Sequence, residues 1–258
     1  MLHALGLIDD ARPLGARAKF SVMALVAIVV ALMADVRVVG GMTPPWLSIT
    51  LTAMWIVVIV NAFNFLDNMD GLSAGVATIN FAFLAICGVF AGQAFVPGLA
   101  GVCCGATLGF LAYNFPPARI FMGDAGSLVV GYMIAIISIM TTYYNAESGG
   151  SRPPYALAMP LVVLAVPLYD FVSVVGIRIL EGRSPFRGDQ RHFSHRLVDH
   201  GLSRRFAVLT IYLATTATGL AATLLPNADL RQTVTIVCLV MMVLGIIAIL
   251  EMPPKANS

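Results

Sequence analysis

Residues 46–60 read WLSITLTAMWIVVIV, and the chain continues through 61–75 as NAFNFLDNMDGLSAG. The first block is an apolar run without a charge. The second places Asn61, Asn64, Asp67, Asn68 and Asp70 within ten residues. A hydrocarbon core about 30 Å thick is crossed by about 20 apolar residues of helix. The pair therefore reads as a membrane span that ends in a polar edge.

Working outward, the same pattern recurs. The chain has 258 residues, 59% of them hydrophobic and 11% charged, against about 25% charged in an ordinary soluble domain. Spans are predicted near 19–40, 46–66, 73–92, 96–114, 127–144, 155–179, 205–225 and 231–250. They are continuous apolar runs without period-two alternation, which excludes a membrane barrel. The predicted fold class is all-α: a polytopic helical bundle of about eight transmembrane helices, with residues 1–258 forming a single transmembrane domain. Cys87, Cys103, Cys104 and Cys238 lie inside apolar runs without metal-ligand spacing and read as small buried hydrophobes. The start, MLHALGLIDDARPLGARAKF, is too acidic for a secretory signal.

Loop charge sets the orientation. Of 15 Lys and Arg, all but Arg37, Arg152 and Arg231 fall on the side that holds residue 1, and positive loops stay in the cytoplasm. The same parity gathers the polar stretches near 7–19, 64–73, 114–127 and 180–205 on that predicted cytoplasmic face. Asp9, Asp10, Asp67, Asp70 and Asp124 all stand at span ends there, an arrangement that predicts a site.

On a helix, Asn61, Asn64, Asp67 and Asp70 recur at i+3 and lie near one another. Carboxylates crowded at a low-dielectric boundary repel, and a divalent cation is the simplest compensation. Oxygen ligands without cysteine suit Mg²⁺ or Mn²⁺, which take one or two carboxylates plus substrate phosphate. In FMGDAGS (121–127), Asp124 reads as a metal ligand and the following helix N-terminus as a place for phosphate oxygens, with capping by Ser127 or Asp124 as the competing use. The loop 180–205 packs arginines, Arg191 among them, around His192 and His195, groups suited to a diphosphate. Asp170 lies inside a span, where an acid is expensive and usually functional; Pro160 and Pro167 are expected to loosen that helix and open a wet cavity to it.

Together these four stretches resemble the polyprenyl-phosphate N-acetylhexosamine-1-phosphate transferases, membrane enzymes that move a sugar 1-phosphate from a UDP-sugar onto a lipid phosphate. The resemblance runs from Leu7 to about Arg205. Asp9 and Asp10 match the family's acidic pair, with Arg17 and Lys19 following, although Pro13 stands where a third acid is common. Asn64, Asp67 and Asp70 match its Asn-x-x-Asp-x-x-Asp-Gly-Leu element, with Asn68 where glycine is common. Asp124 matches the aspartate associated with metal. SPFRGDQRHFSHRL resembles the histidine loop, with Ser194 in place of its middle histidine.

The resemblance implies catalytic roles for Asp9, Asp10, Asp67 and Asp70. It implies substrate contacts from Asn64, Lys19, Arg191, His192 and His195, and metal contacts from Asp124 and Asp67. It further implies Mg²⁺ as cofactor (or Mn²⁺), UDP-sugar and polyprenyl phosphate as partners, no nucleic acid, and a bacterial inner membrane location with the site facing the cytoplasm. A homodimer stays open. The branch resembled is the one that uses UDP-N-acetylglucosamine to begin cell-envelope polysaccharide, rather than the peptidoglycan translocase branch. Family members carry additional spans before the acidic pair, so the chain reads as N-terminally truncated and an inactive homologue is one alternative.

Three other classes compete, among them the aspartate-rich prenyltransferases, for which Asp9 and Asp10 could form one acidic motif but the histidine loop would be unexplained. CDP-alcohol phosphotransferases share Asp-x-x-Asp-Gly, but DNMDGLSAG has Gly75 where their signature needs arginine. A transporter places its polar groups near the bilayer midplane, whereas here they lie at one edge.

Overall fold

The computed structural model describes residues 1–33, 37–38, 43–141, 158–182 and 192–251. Arg191 lies outside them. Among the described residues eleven α-helices follow in order: α1 (Leu2–Ala11), α2 (Ala16–Met33), α3 (Pro45–Leu66), α4 (Leu72–Phe90), α5 (Phe95–Asn114), α6 (Gly123–Thr141), α7 (Ala158–Val163), α8 (Ala165–Leu180), α9 (Phe193–Asp199), α10 (Arg204–Ala222) and α11 (Leu230–Leu250). No strand occurs among the described residues.

Seven of these helices are long and apolar enough to cross a membrane. The predicted span 155–179 is realised instead as α7 and α8, which meet at Leu164. Pro167 has no N–H for the carbonyl of Val163 and its ring crowds that turn, so the helix breaks where the prolines lead one to expect it. The outer helices α5 and α11 leave Phe95, Val102, Leu108, Leu239, Met241 and Met242 exposed. An apolar surface of that extent needs lipid around it. The chain is a multi-pass membrane protein.

α3 and α6 form the central pair. Lipid offers helices no hydrophobic drive to associate, so packing and interhelical hydrogen bonds must supply it. Gly123, Ser127, Gly131 and Ala135 recur every four residues along α6, giving one face of small side chains. A Cβ on Gly131 would stand 2.8 Å from the Val60 Cα of α3, so the backbones lie almost in contact. Trp55 Nε1 on α3 donates to Ser138 Oγ on α6 at 2.9 Å. α1 is seated just as closely on the beginning of α6, where a Cβ on Gly6 would come within 2.3 Å of Ala125 Cα.

α3 ends at Leu66, before its polar edge is complete. Asn68 Nδ2 donates back to Phe65 O at 2.6 Å and Asp67 N to Asn64 O at 3.3 Å, local bonds that compete with helix continuation. Gly71, at φ 75°, then turns the chain into α4, a left-handed conformation that glycine adopts without strain. Asp67 and Asp70 therefore lie beyond the helix, not on the i+3 stripe that their spacing predicts.

Candidate active site

The site forms where the C-terminal ends of α1 and α3 meet the N-terminal ends of α2 and α6. Asp124, in the first turn of α6, is its junction. Its carboxylate accepts from Asn64 Nδ2 at 2.8 Å and pairs with the Lys19 ammonium. Asn64 donates to Ser127 Oγ as well, at 3.0 Å. Lys19 Nζ also meets Asp9 Oδ2 at 3.0 Å, while Asp9 Oδ1 accepts from Leu14 N at 2.7 Å. The ammonium thus bridges acids from two elements that are far apart in sequence.

Asp10 does something that its spacing does not announce. Its two oxygens accept from the backbone N–H groups of Asp124 (2.9 Å) and Ala125 (3.1 Å), and Gly123 N donates to Asp67. The first amides of a helix lack intrahelical partners and favour anions. Here two carboxylates of the protein itself take them. The expectation that the start of α6 offers its amides to a substrate phosphate is corrected accordingly: those donors are already occupied.

Asp67 bears the electrostatic cost. Burial first, and then the neighbouring Asp10, raise its pKa from 3.8 to about 7, against the opposing pull of the Gly123 amide. A carboxyl raised in this way holds a proton that the unfolded chain has released. Its stabilising contribution is complete below pH 3.8 and is lost as pH climbs through 7. The thermal midpoint of the detergent-solubilised chain should therefore fall more between pH 5 and pH 8 than that of Asp67→Asn. Equal falls in the two proteins overturn this account.

Asp70 stands apart from that cluster. Its Oδ2 accepts from Ala118 N at 3.0 Å, and buried Asn114 accepts from Gly71 N at 3.0 Å while donating to Ile120 O at 2.8 Å. These two side chains fasten the turn after α3 to the loop that leads into Asp124. Sequence reasoning missed Asn114, although Asn114-Phe115 repeats Asn64-Phe65 at a second span end.

The histidine loop packs against the same region. Ser194 Oγ donates to Asn68 Oδ1 at 2.6 Å, and the His192 ring meets Phe65 edge-on with centroids 5.4 Å apart. Burial, then the neighbouring His192, hold the His195 imidazole below its ordinary pKa, partly offset by Asp199. Asp170 does not face a wet cavity as expected. It is fully buried, with Oδ2 3.0 Å from His192 Nδ1, and its Oδ1 accepts from Phe193 N at 2.7 Å. Glu251, at the end of α11, accepts from Arg196 at 2.7 Å and from Tyr169 Oη at 3.2 Å.

Asp9, Asp10 and Asp124, with Asp67 only partly ionised at neutral pH, outweigh the one ammonium and leave an excess of negative charge built from hard oxygen donors. Among the described residues no three of His, Cys, Asp or Glu are grouped so as to hold a metal ion by themselves. That donor set fits Mg²⁺, which takes one or two protein carboxylates and completes its shell with water and phosphate oxygens. Beside the acids runs an apolar groove of about 660 Å³ between α2, α3 and α8. Phe20, Ala53, Met54, Val57, Asn61 and Phe65 line it, so α3 presents one face to the groove and Asn64 to Asp124.

Fold and site together define a polytopic membrane protein that assembles carboxylates and a lysine at one end of its bundle, beside an apolar groove that runs along α3. A family model described as glycosyl transferase family 4 matches residues 1–142. The chain is 36% identical over 255 residues to a probable undecaprenyl-phosphate N-acetylglucosaminyl 1-phosphate transferase of Bacillus subtilis, covering 96% of this chain and 70% of that protein. It is 38% identical over 237 residues to a decaprenyl-phosphate N-acetylglucosaminephosphotransferase of Mycolicibacterium smegmatis (83% and 58% of the two lengths). To the Escherichia coli K12 undecaprenyl-phosphate alpha-N-acetylglucosaminyl 1-phosphate transferase it is 28% identical over 228 residues (83% and 60%). The chain belongs to glycosyl transferase family 4. It spans between 58% and 70% of the length of these relatives.

Proposed function

We propose that the chain transfers N-acetylglucosamine 1-phosphate from its UDP-sugar to a polyprenyl phosphate, releasing UMP, at the cytoplasmic face of a bacterial inner membrane. The observation that carries this reading is the meeting of two unlike environments within one turn of α3. Asn61 and Phe65 line a groove suited to a prenyl chain, while Asn64 between them donates to Asp124 in the acidic centre. An acceptor lying in the groove brings its phosphate to the acids. The names of the relatives agree with this.

In the reaction an oxygen of the lipid phosphate attacks the sugar-side phosphorus of the UDP-sugar. The new P–O bond forms as the bond from that phosphorus to the bridging oxygen breaks, and its electron pair leaves with UMP. A phosphate monoester with a second pKa of about 6 is largely ionised at neutral pH, so no strong base is required. Asp124 and Asp67 would hold a Mg²⁺ ion, which would supply neutralisation of the charge on the diphosphate. Lys19 is kept at that place by Asp9 and offers a second positive charge. Asp10 holds the start of α6, and so Asp124, in position. Asp70 steadies the intervening loop, and His192, His195 and Arg191 are the groups assigned to the nucleotide side.

Membranes carrying the chain, given UDP-N-acetylglucosamine and undecaprenyl phosphate, should release UMP in step with a lipid-linked sugar product. No UMP above a control without the chain overturns the reading. Val57→Trp, which fills the groove without touching the acids, should raise KM for the lipid about tenfold and leave KM for the UDP-sugar unchanged. An unchanged lipid KM removes the groove from the acceptor site.

A further inference from the structure

The transferase reading leaves one intramembrane acid without a task. Asp170 is 0% exposed, inside α8. A carboxylate so placed is costly unless donors satisfy it. Two do: His192 Nδ1 at Oδ2 (3.0 Å) and Phe193 N at Oδ1 (2.7 Å). Both come from the beginning of α9, so a single buried side chain fixes where the histidine helix starts and how its first imidazole is turned.

We propose that Asp170 is a positioning residue of the same site: it holds the His192 ring by Nδ1–H, leaving Nε2 as the nitrogen that meets a phosphate oxygen of the sugar nucleotide. This inference rests on the transferase reading for its substrate. The geometry of the pair stands without it. A carboxylate on Nδ1–H selects one tautomer and stabilises the imidazolium formed when Nε2 takes a second proton. The Nε2–H group is then a charged donor, and such bonds to phosphate are stronger than neutral ones.

The surroundings keep the ring from turning over. Phe65 packs edge-on against it at 5.4 Å, and the Arg178 guanidinium lies over that same Phe65 ring, 5.0 Å from its centroid. Ser194, two residues on, is tied to Asn68, which follows Asp67 directly. The imidazole is thereby held beside the acidic turn after α3. Of the ionisable groups on α9, His195 carries the electrostatic influence of both His192 and Asp170, and Arg196 donates to Ser173 Oγ at 2.9 Å one turn along α8 from Asp170.

The test has two arms. In the full chain labelled with ¹⁵N-histidine, the His192 signals, assigned by their loss in His192→Ala, should show a protonated Nδ1 in wild type and a shift toward the Nε2-protonated tautomer in Asp170→Asn. A neutral ring protonated at Nε2 in the wild-type chain overturns the proposal, whether or not the variant folds. In the second arm, Asp170→Asn should lower kcat for UMP release by about 10²-fold. In a His192→Ala background the same change should cost less than about twofold, since Asp170 acts through His192. Full multiplicative losses overturn the positioning role and leave a purely structural one. If wild-type chain releases no UMP, the transferase reading fails, while the tautomer measurement still decides the Asp170–His192 pair.

Discussion

Asp124→Asn is expected to lower UMP release by about 10²- to 10³-fold while leaving the bundle folded. Asparagine keeps the shape and can still accept from Asn64, whose amide stands 2.8 Å from the aspartate oxygen. What it removes is the charge, and two features of the site depend on that charge. Lys19 loses one of its two anionic partners. The pair of acids proposed to hold Mg²⁺ is reduced to Asp67 alone. UMP release from purified chain across a Mg²⁺ series checks this, and activity within threefold of wild type with an unchanged Mg²⁺ requirement removes Asp124 from the metal site.

The second large effect is expected from a residue without a side chain. Gly6→Leu should reduce UMP release at least about 10²-fold, because displacing reacting groups by about an ångström already costs that much. Any Cβ at residue 6 would collide with the Ala125 backbone, and backbone cannot move aside as a side chain can. α1 must therefore lift from α6, and Asp10, one turn further along α1, is drawn away from the amides of Asp124 and Ala125. The thermal midpoint of the remaining bundle should change little, since α3, α4 and α6 pack without α1. Protease should cut within residues 1–15 faster than in wild type. Near-normal activity in Gly6→Leu shows that the contact between α1 and α6 does not position the acids.

The bundle was legible in the sequence because membrane spans declare themselves locally, by length and polarity. Even the break at Leu164 is foreshadowed by Pro160 and Pro167. The gathering of Asp9, Asp67 and Asp124 at one end follows from loop parity alone. The roles inside the cluster do not. Asp9 and Asp10 are adjacent and chemically identical, yet one meets Lys19 while the other caps α6. The difference depends on how closely α1 approaches α6, a contact between residues more than a hundred positions apart. The partnership of Asp170 with His192 is equally invisible to spacing, because it sets the middle of α8 against the beginning of α9. Helix periodicity misled for Asp67 and Asp70, where Asn68 ends α3 early through its bond to Phe65 O.

The groove between α2, α3 and α8 has a wall that includes Phe20, Ile28 and Met54, all exposed on the outside of the bundle. It therefore opens sideways, toward acyl chains and not toward water. A molecule that enters by that door first dissolves in the two-dimensional lipid phase. Its supply to the protein is set by its mole fraction among the surrounding lipids, so diluting the bilayer or micelle with inert amphiphile slows loading even when the bulk concentration is held constant.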